Sequence, residues 1–232
     1  MIETGHATRA GTIAPSADAA IVHVQADGTL AAAVVDGIGH SPHIADVARI
    51  LAAVAARTAA RRGCLAGLLA ATELVADPGA GAEPEPDAVA VVAVTKPGDD
   101  RISTAWVGDC RAYALEDGKL QHLTIDHNLA TQLEMCGYAG EVVRRAGQWV
   151  RTSVATAAVA TVAEAWTTAD LVLLTSDGVH DQMPHHTLKA LALEHQGDPQ
   201  ALAQALVRAA ETGTDGVRDD ATAVVIRRTR QD

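Results

Sequence analysis

A chain of 232 residues is long enough to bury a sizeable core in one domain without the support of disulfides or a structural metal. It carries 18 Lys and Arg against 29 Asp and Glu, a formal charge of −11. This charge argues against nucleic-acid partners and anionic membrane surfaces, because both need a basic protein surface. With no Phe, three Trp and two Tyr, the core must consist mainly of Ala, Val, Leu and Ile.

The three cysteines, Cys64, Cys110 and Cys136, are far apart in the sequence and form no CxxC pair. This spacing indicates neither a disulfide framework nor a zinc site, and it is typical of reduced thiols. The N-terminus lacks the basic and apolar segments of a signal peptide, and the apolar runs are too short for a membrane span. We therefore expect a cytoplasmic protein, and the composition leaves its oligomeric state open.

The first half of the chain contains short apolar runs and longer segments in which apolar residues recur at helical spacing. The runs predict strands at 19–24, 30–35, 88–95 and 102–107, and the spacing predicts helices at 44–62 and 65–75. Asp27-Gly28 is typical of a hairpin turn between the first two strands, and Gly63 is expected to end the first helix. The segment 77–87 is rich in Pro and Gly and predicts a loop.

The second half continues with hairpins and a further pair of helices. Strands are predicted at 111–115, 119–123, 171–175 and 222–226, and helices at 129–135, 186–195 and 199–211. Asp198 is expected to cap the last helix. The segment 139–168 has weak periodicity and is expected to contain an edge strand or a mobile flap. Hairpins combined with paired helices favour antiparallel sheets covered by helices, in a single domain over residues 1–232.

Four motifs that contain Asp lie at the ends of predicted strands. They are Asp36-Gly-Ile-Gly39, Gly108-Asp109-Cys-Arg111, Ser176-Asp177-Gly-Val-His-Asp181 and Asp219-Asp220-Ala-Thr222. Asp18 immediately precedes the first predicted strand. Carboxylates brought together repel one another, and a divalent cation removes that penalty. Ligation by oxygen alone selects Mg²⁺ or Mn²⁺ over zinc or copper.

An Asp-Gly pair taken alone is most often a turn, and we interpret Asp27-Gly28 and Asp117-Gly118 in that way. The ordered set of the other motifs, together with Leu123-Thr-Ile-Asp126-His127, resembles the metal-dependent type 2C Ser/Thr protein phosphatases in their compact bacterial form. The resemblance extends over about residues 18–226. It implies an α+β fold, a four-layer α/β/β/α sandwich of two antiparallel sheets flanked by helix pairs, with the metals at one end of the sheets.

The resemblance also implies a core of two Mn²⁺ or Mg²⁺ ions. Asp36 corresponds to the carboxylate that bridges both ions, and the backbone carbonyl of Gly37 corresponds to a ligand of the second. Asp177 and Asp219 correspond to the ligands that complete the first metal site.

Two further motif positions imply a third, weaker metal site. Asp109 and Asp181 correspond to its ligands, together with Asp177. Asp18 corresponds to the Asp of an N-terminal acidic pair, where it supports the water network of the ions. The candidate catalytic residues are Asp36, Asp18 and His40.

The remaining motif residues are expected to support the site. Asp220 and Thr222 follow the last ligand and are expected to hold the ligands in place rather than bind the ions. Arg111, Asp126 and His127 match positions that brace the fold of the family.

The sequence departs from the family pattern before Asp18. Ala17 stands where Glu or Gln is common, and Ile13 stands where the family has an Arg that grips the substrate phosphate. Arg9 lies nearby and would need a different loop path to replace it. Loss of a bidentate grip weakens phosphate binding, so the ions would supply most of it.

Ile38 stands where many animal members have a His that is a candidate general acid. His40 and His43 are close by, and one of them could protonate the leaving alkoxide, or both could simply cap the helix that follows. Three further histidines are interpreted as part of a solvated loop: His180, His185 and His186.

The leading hypothesis is therefore a hydrolase that removes phosphate from phosphoserine or phosphothreonine in proteins, by direct attack of a water that bridges the metals. The alternative is a phosphatase-like module with little or no activity that binds a phosphoprotein or a regulatory partner. A metal-dependent hydrolase of small phosphate esters is a third hypothesis.

Overall fold

The structure is a computed structural model that describes residues 1–76, 86–210 and 216–229. Most of the loop predicted at 77–87 lies outside the described residues. No helix in the described part of the chain is both long and apolar enough to cross a lipid bilayer.

Ten strands and seven helices form within these residues. The strands are β1 (Ile2–Arg9), β2 (Asp18–Val24), β3 (Leu30–Gly37), β4 (Ala88–Thr95), β5 (Ile102–Val107), β6 (Arg111–Glu116), β7 (Lys119–His122), β8 (Ala163–Thr167), β9 (Leu171–Thr175) and β10 (Ala221–Arg228). The helices are α1 (Pro42–Arg62), α2 (Cys64–Thr72), α3 (Leu129–Met135), α4 (Glu141–Ala146), α5 (Asp177–His180), α6 (His185–Glu194) and α7 (Pro199–Ala209).

Two antiparallel five-stranded sheets are stacked between helices. The first sheet has the order β1-β10-β9-β6-β7, and the second has the order β2-β3-β4-β5-β8. Helices α1 and α2 cover the outer face of the second sheet, and α6 and α7 cover the first. The predicted four-layer α/β/β/α fold is thereby confirmed.

Strand β3 shows why several strands are continuous apolar runs. Val34 packs between the two sheets, whereas Val35 packs against α1 and α2, so both faces of the strand are buried. The side of α1 that faces the sheet is almost entirely Ala, which brings the helix close to the strands. Gly67 of α2 continues this close approach, because a Cβ there would lie 2.6 Å from the carbonyl oxygen of Ala55.

Helix α1 begins two residues before the predicted start. The Oγ of Ser41 accepts a hydrogen bond from the backbone N–H of Ile44 at 3.2 Å, and Pro42 takes the first helical position. Gly63 ends the helix at a φ of 95°, as predicted. Helices α2 and α7 end earlier than predicted, at Thr72 and Ala209.

Three elements were not predicted from the sequence. Strand β1 is polar and rich in small residues, and it becomes a strand because it pairs with β10 along its whole length. Consequently Asp18 begins the second strand and does not precede the first. Helix α4 lies in the segment 139–168 and α5 directly after β9, and both are too short for a clear period. The edge strand expected in that segment is β8.

The antiparallel registers bring the ends of several strands to the same end of the sandwich. Asp18 pairs with Asp36 across β2 and β3, and Thr175 at the end of β9 pairs with Ala223 near the start of β10. Arg111, directly after the β5–β6 turn, also pairs with Thr175. All four Asp motifs therefore meet at this end.

Candidate metal centre

A cleft of about 200 Å³ opens at the end of the sandwich where the motifs meet. Its acidic lining consists of Asp36, Asp109, Asp177, Asp181, Asp219 and Asp220. No Lys or Arg of the described residues contributes to this lining, which includes the side chain of His40. Two larger clefts, of about 690 and 810 Å³, lie around Arg228 at the opposite end of β10 and share none of the motif residues.

Asp36 and Asp177 both line this cleft, and their carboxyl groups are close enough to affect each other's pKa. Loss of hydration, followed by repulsion from Asp177, raises the pKa of Asp36 well above its usual range. Loss of hydration, followed by repulsion from Asp219 and Asp109, raises the pKa of Asp177 to about 7. A divalent cation at this point would relieve the repulsion between the carboxylates.

Asp109 and Asp181 extend the acidic wall towards Arg111. Loss of hydration and the charge of Asp126 raise the pKa of Asp109 to about 6. The exposed carboxylate of Asp181 lies 3.7 Å from Nη2 of Arg111. The tight turn before Asp109 depends on Gly108, which has a φ of 82°.

A side chain at Gly108 is also excluded by its neighbours, because a Cβ there would overlap the side chain of Val89. The turn is therefore fixed by both backbone conformation and packing.

Arg111 and Asp126 form an ion pair that braces the fold, as expected from their motifs. Nε and Nη2 of Arg111 donate to both carboxylate oxygens of Asp126, at 2.9 and 2.6 Å for the two shorter bonds. The next residue, His127, donates its backbone N–H to the carbonyl oxygen of Gly108 at 2.9 Å. The pair therefore supports the turn that carries Asp109.

Asp18 lies behind the cleft and does not line it. It is buried opposite Asp36, and its Oδ2 accepts a hydrogen bond from Oγ of Ser176 at 2.7 Å. Its Oδ1 is buried without a hydrogen-bond partner. Burial raises the pKa of Asp18 well above its usual range, although the hydroxyl groups of Ser176 and Thr222 oppose this shift.

Asp219 and Asp220 are the last residues of the loop that leads into β10. Oδ1 of Asp219 accepts from the backbone N–H of Asp220 at 2.8 Å. Both oxygens of Asp220 are occupied, since they accept from the backbone N–H groups of Gly11 and Ala17 at 2.6 and 2.8 Å. Asp220 thus fixes the loop before β2, in agreement with the expected supporting role.

Two glycines of the motifs stand where side chains would not fit. At Gly37 a Cβ would press on the side chain of Ile44, and its N–H donates to the carbonyl oxygen of Ala17 at 3.1 Å. At Gly178 a Cβ would overlap the carbonyl oxygen of Asp220. These close approaches bring β3, α5 and the β10 loop together around the cleft.

The histidines differ in part from the expectations. His40 lines the cleft, whereas His43 is exposed in the first turn of α1 and is not part of the lining. The idea that these histidines cap α1 is wrong, because Ser41 caps it. The solvated loop expected around His180 is also wrong: His180 is buried in α5, with Nδ1 2.8 Å from Oγ1 of Thr175.

Arg9 does not reach the cleft. Its Nη1 donates to the carbonyl oxygens of Arg208 and Ala210, each at 3.1 Å, at the C-terminal end of α7. This position suits a cation, because the last carbonyls of a helix lack intrahelical partners. Ile13 is 45% exposed on the loop before β2 and supplies no charge there.

The residues of the cleft suit hard divalent ions. The acidic side chains of the lining offer oxygen donors alone, and Asp18 places a buried oxygen without a partner behind them. Among the described residues, no three His, Cys, Asp or Glu side chains already converge on a single point at ligand distances.

The sequence matches the family described as stage II sporulation protein E, SpoIIE, over residues 26–229. The chain belongs to the SpoIIE family. This family is related to the type 2C phosphatases, so the resemblance seen in the motifs is confirmed. No curated protein matches the sequence significantly.

Several solved structures are similar to this chain in fold. The serine/threonine phosphatase of S. agalactiae superposes with a TM-score of 0.84 at 16% identity, covering 99% of this chain and 100% of that one. Stp1 from Staphylococcus aureus gives 0.79 at 18%, covering 99% and 96%. The catalytic domain of PstP, in complex with two manganese ions, gives 0.68 at 20%, covering 97% of both chains. At these identities the similarity establishes the fold.

Proposed function

We propose that this member of the SpoIIE family is a metal-dependent phosphatase that hydrolyses phosphoserine and phosphothreonine in proteins, with the whole chain as one domain. The observation that carries the proposal is the convergence of six Asp residues on the lining of one cleft. The solved phosphatases that share the fold, one of them with two manganese ions, support it.

Each acidic residue has a proposed part in holding the ions. Asp36 would bridge two Mn²⁺ or Mg²⁺ ions, the carbonyl of Gly37 would contact one of them, and Asp177 and Asp219 would complete the other site. The remaining acidic positions, Asp109 and Asp181, would hold a third, weaker ion together with Asp177. When bound, the ions supply a nucleophilic water at neutral pH and positive charge for the phosphoryl oxygens.

Two side chains of the protein would accept and donate the protons of the reaction. Asp18 has a free oxygen behind Asp36 and would accept a proton from the attacking water. The imidazole of His40, on the cleft wall, would donate a proton to the oxygen of the leaving Ser or Thr. With this pair the reaction would be direct hydrolysis, without a phosphorylated protein intermediate.

A second function is favoured by one observation, the lack of Lys and Arg in the described lining of the cleft. Arg9, the nearest guanidinium by sequence to the expected position, is engaged by α7. Without a fixed cation the chain could bind a phosphoprotein or regulatory partner and turn it over weakly or not at all. The proposed phosphatase instead relies on the ions for phosphate binding.

The test compares hydrolysis of p-nitrophenyl phosphate and of phosphoserine and phosphothreonine peptides, with Mn²⁺ and with chelator. The phosphatase predicts turnover with Mn²⁺ that is lost in chelator and in Asp177→Asn, with peptides preferred over the small ester. Phosphopeptide binding without turnover in any metal would support the binding module. Turnover that survives Asp177→Asn would contradict the site.

A further inference from the structure

Behind the cleft, one buried side chain connects the β9 motif with β2. Ser176 is fully buried, and its Oγ donates to Oδ2 of Asp18 at 2.7 Å. The same Oγ accepts a hydrogen bond from the backbone N–H of Thr222 at 2.9 Å. A hydroxyl group has only one proton to donate, and the bond accepted from Thr222 fixes the orientation of the Ser176 hydroxyl. Its proton therefore points towards Asp18.

This contact decides which oxygen of Asp18 is available. Oδ2 is occupied by Ser176, whereas Oδ1 is enclosed in the protein without a partner. A buried carboxylate oxygen without a partner carries a cost that a fold seldom retains unless something binds there. Asp18 stands directly opposite Asp36 in the β2–β3 register, behind the cleft that Asp36 and Asp177 line.

We infer that Ser176 is a positioning residue of the proposed phosphatase site, acting through Asp18. It holds Oδ2, so that Oδ1 remains free to accept a hydrogen bond from the attacking water beside Asp36. Ser176 itself touches neither the ions nor the substrate. The inference rests on the proposed function, yet it concerns a contact that can also be tested by metal binding alone.

Thr104 of β5 offers a matched control. It is also a buried hydroxyl residue, and its Oγ1 donates to the carbonyl oxygen of Ala165 at 3.2 Å, outside the cleft lining. Thr104→Val removes that hydroxyl without changing the size of the side chain. Its thermal unfolding temperature shows what the loss of one buried hydrogen bond costs when no site residue depends on it.

The test is a double-mutant cycle of Ser176→Ala and Asp18→Asn, with Ser176→Cys as a conservative replacement. The measurements are kcat and KM for p-nitrophenyl phosphate in saturating Mn²⁺, and the Mn²⁺ dissociation constant by calorimetry. We expect Ser176→Ala to lower kcat about 10- to 100-fold with KM nearly unchanged, as for a misplaced catalytic group. Ser176→Cys should retain intermediate activity, and Ser176→Ala should have little further effect in the Asp18→Asn background.

Additive effects of the two substitutions would overturn the inference, as would an equal loss of kcat in Thr104→Val. If the wild-type protein binds Mn²⁺ without turnover, the proposed phosphatase activity is wrong. The cycle is then evaluated from the Mn²⁺ dissociation constants. Non-additive effects of Ser176→Ala and Asp18→Asn on that constant would support the role of Ser176, and additive effects would overturn it. Absence of Mn²⁺ binding in the wild type would overturn both proposals. Should Ser176→Ala fail to fold, the same comparison is made with Ser176→Cys.

Discussion

Oδ2 of Asp220 accepts a hydrogen bond from the backbone N–H of Ala17 at 2.8 Å, across a separation of 203 residues. Oδ1 of the same carboxylate accepts from Gly11 at 2.6 Å. One side chain at the start of β10 therefore fixes both ends of the loop that leads to Asp18. The position of Asp18 thus depends on a residue from the opposite end of the chain.

Replacing Asp220 should loosen this loop. Asp220→Ala leaves two backbone N–H groups without an acceptor, and we expect a loss of about 2–3 kcal/mol in the free energy of unfolding, measured in urea. Mn²⁺ affinity should fall as well, because the N-terminal loop no longer holds Asp18. Asp198→Ala is the control: it removes the cap of α7, which accepts from Ala201 at 2.9 Å, and should cost about 1 kcal/mol without changing Mn²⁺ affinity.

Asp177→Asn should distinguish the electrostatic repulsion between Asp177 and Asp36 from the role of Asp177 in metal binding. Without metal the variant should unfold at a temperature about 2–4 °C higher than the wild type at pH 7, the shift that about 1 kcal/mol produces in a domain of this size. The reason is that an Asn amide can donate to Asp36, whereas a carboxylate repels it. Mn²⁺ should stabilise the wild type and leave the variant unchanged in differential scanning calorimetry.

Asp117→Asn is the matched control for the loss of one negative charge. Asp117 lies in the β6–β7 turn at a φ of 49°, a conformation that Asn also adopts readily. It should behave as the wild type towards Mn²⁺. A metal-free Asp177→Asn variant that is less stable than the wild type would contradict the repulsion at this site.

The stability of the metal-free protein should depend on pH through Asp177. Its pKa is raised from 3.8 to about 7 in the folded protein, so the folded state holds this proton more tightly than the unfolded state. The contribution of Asp177 is complete below about pH 4 and is lost as the pH rises through 7. Asp109, with a pKa of about 6, acts in the same direction over a narrower range.

Chemical denaturation at several pH values in the presence of chelator measures this loss. The decline between about pH 4 and pH 7 should be smaller in Asp177→Asn, and Mn²⁺ should reverse it in the wild type at pH 7. A profile that is the same in wild type and variant would show that Asp177 does not titrate in this range.

Gly108→Ala should damage the turn that carries Asp109. The substitution forces Ala to a φ of 82° and drives its Cβ into Val89, so we expect about 2–5 kcal/mol of destabilisation from the sum of backbone strain and overpacking. Gly98→Ala separates the two effects, because Gly98 has a φ of 80° with open space around its Cβ. It should cost only about 1–2 kcal/mol. Equal losses in urea denaturation would indicate that Val89 moves aside.

Most of the sheets could be predicted from the sequence because their strands are self-evident apolar runs. Strands β4 and β5 begin and end at the predicted residues, since Val and Ala fill both faces between sharp turns. Strand β1 could not be found in this way. Its polar residues become a strand only through pairing with β10, more than 200 residues away.

The sequence by itself indicated which carboxylates belong together, because the order of their motifs resembles that of a known phosphatase family. Only the tertiary structure decided how they are arranged: Asp36 and Asp177 line one cleft, Asp18 stands behind it on Ser176, and Arg9 is engaged by α7 instead of the site. The physical reason is that periodicity and turn residues act over a few neighbours. Hydrogen bonds, repulsion and burial act between groups that the chain brings together from distant positions, and no local pattern records them.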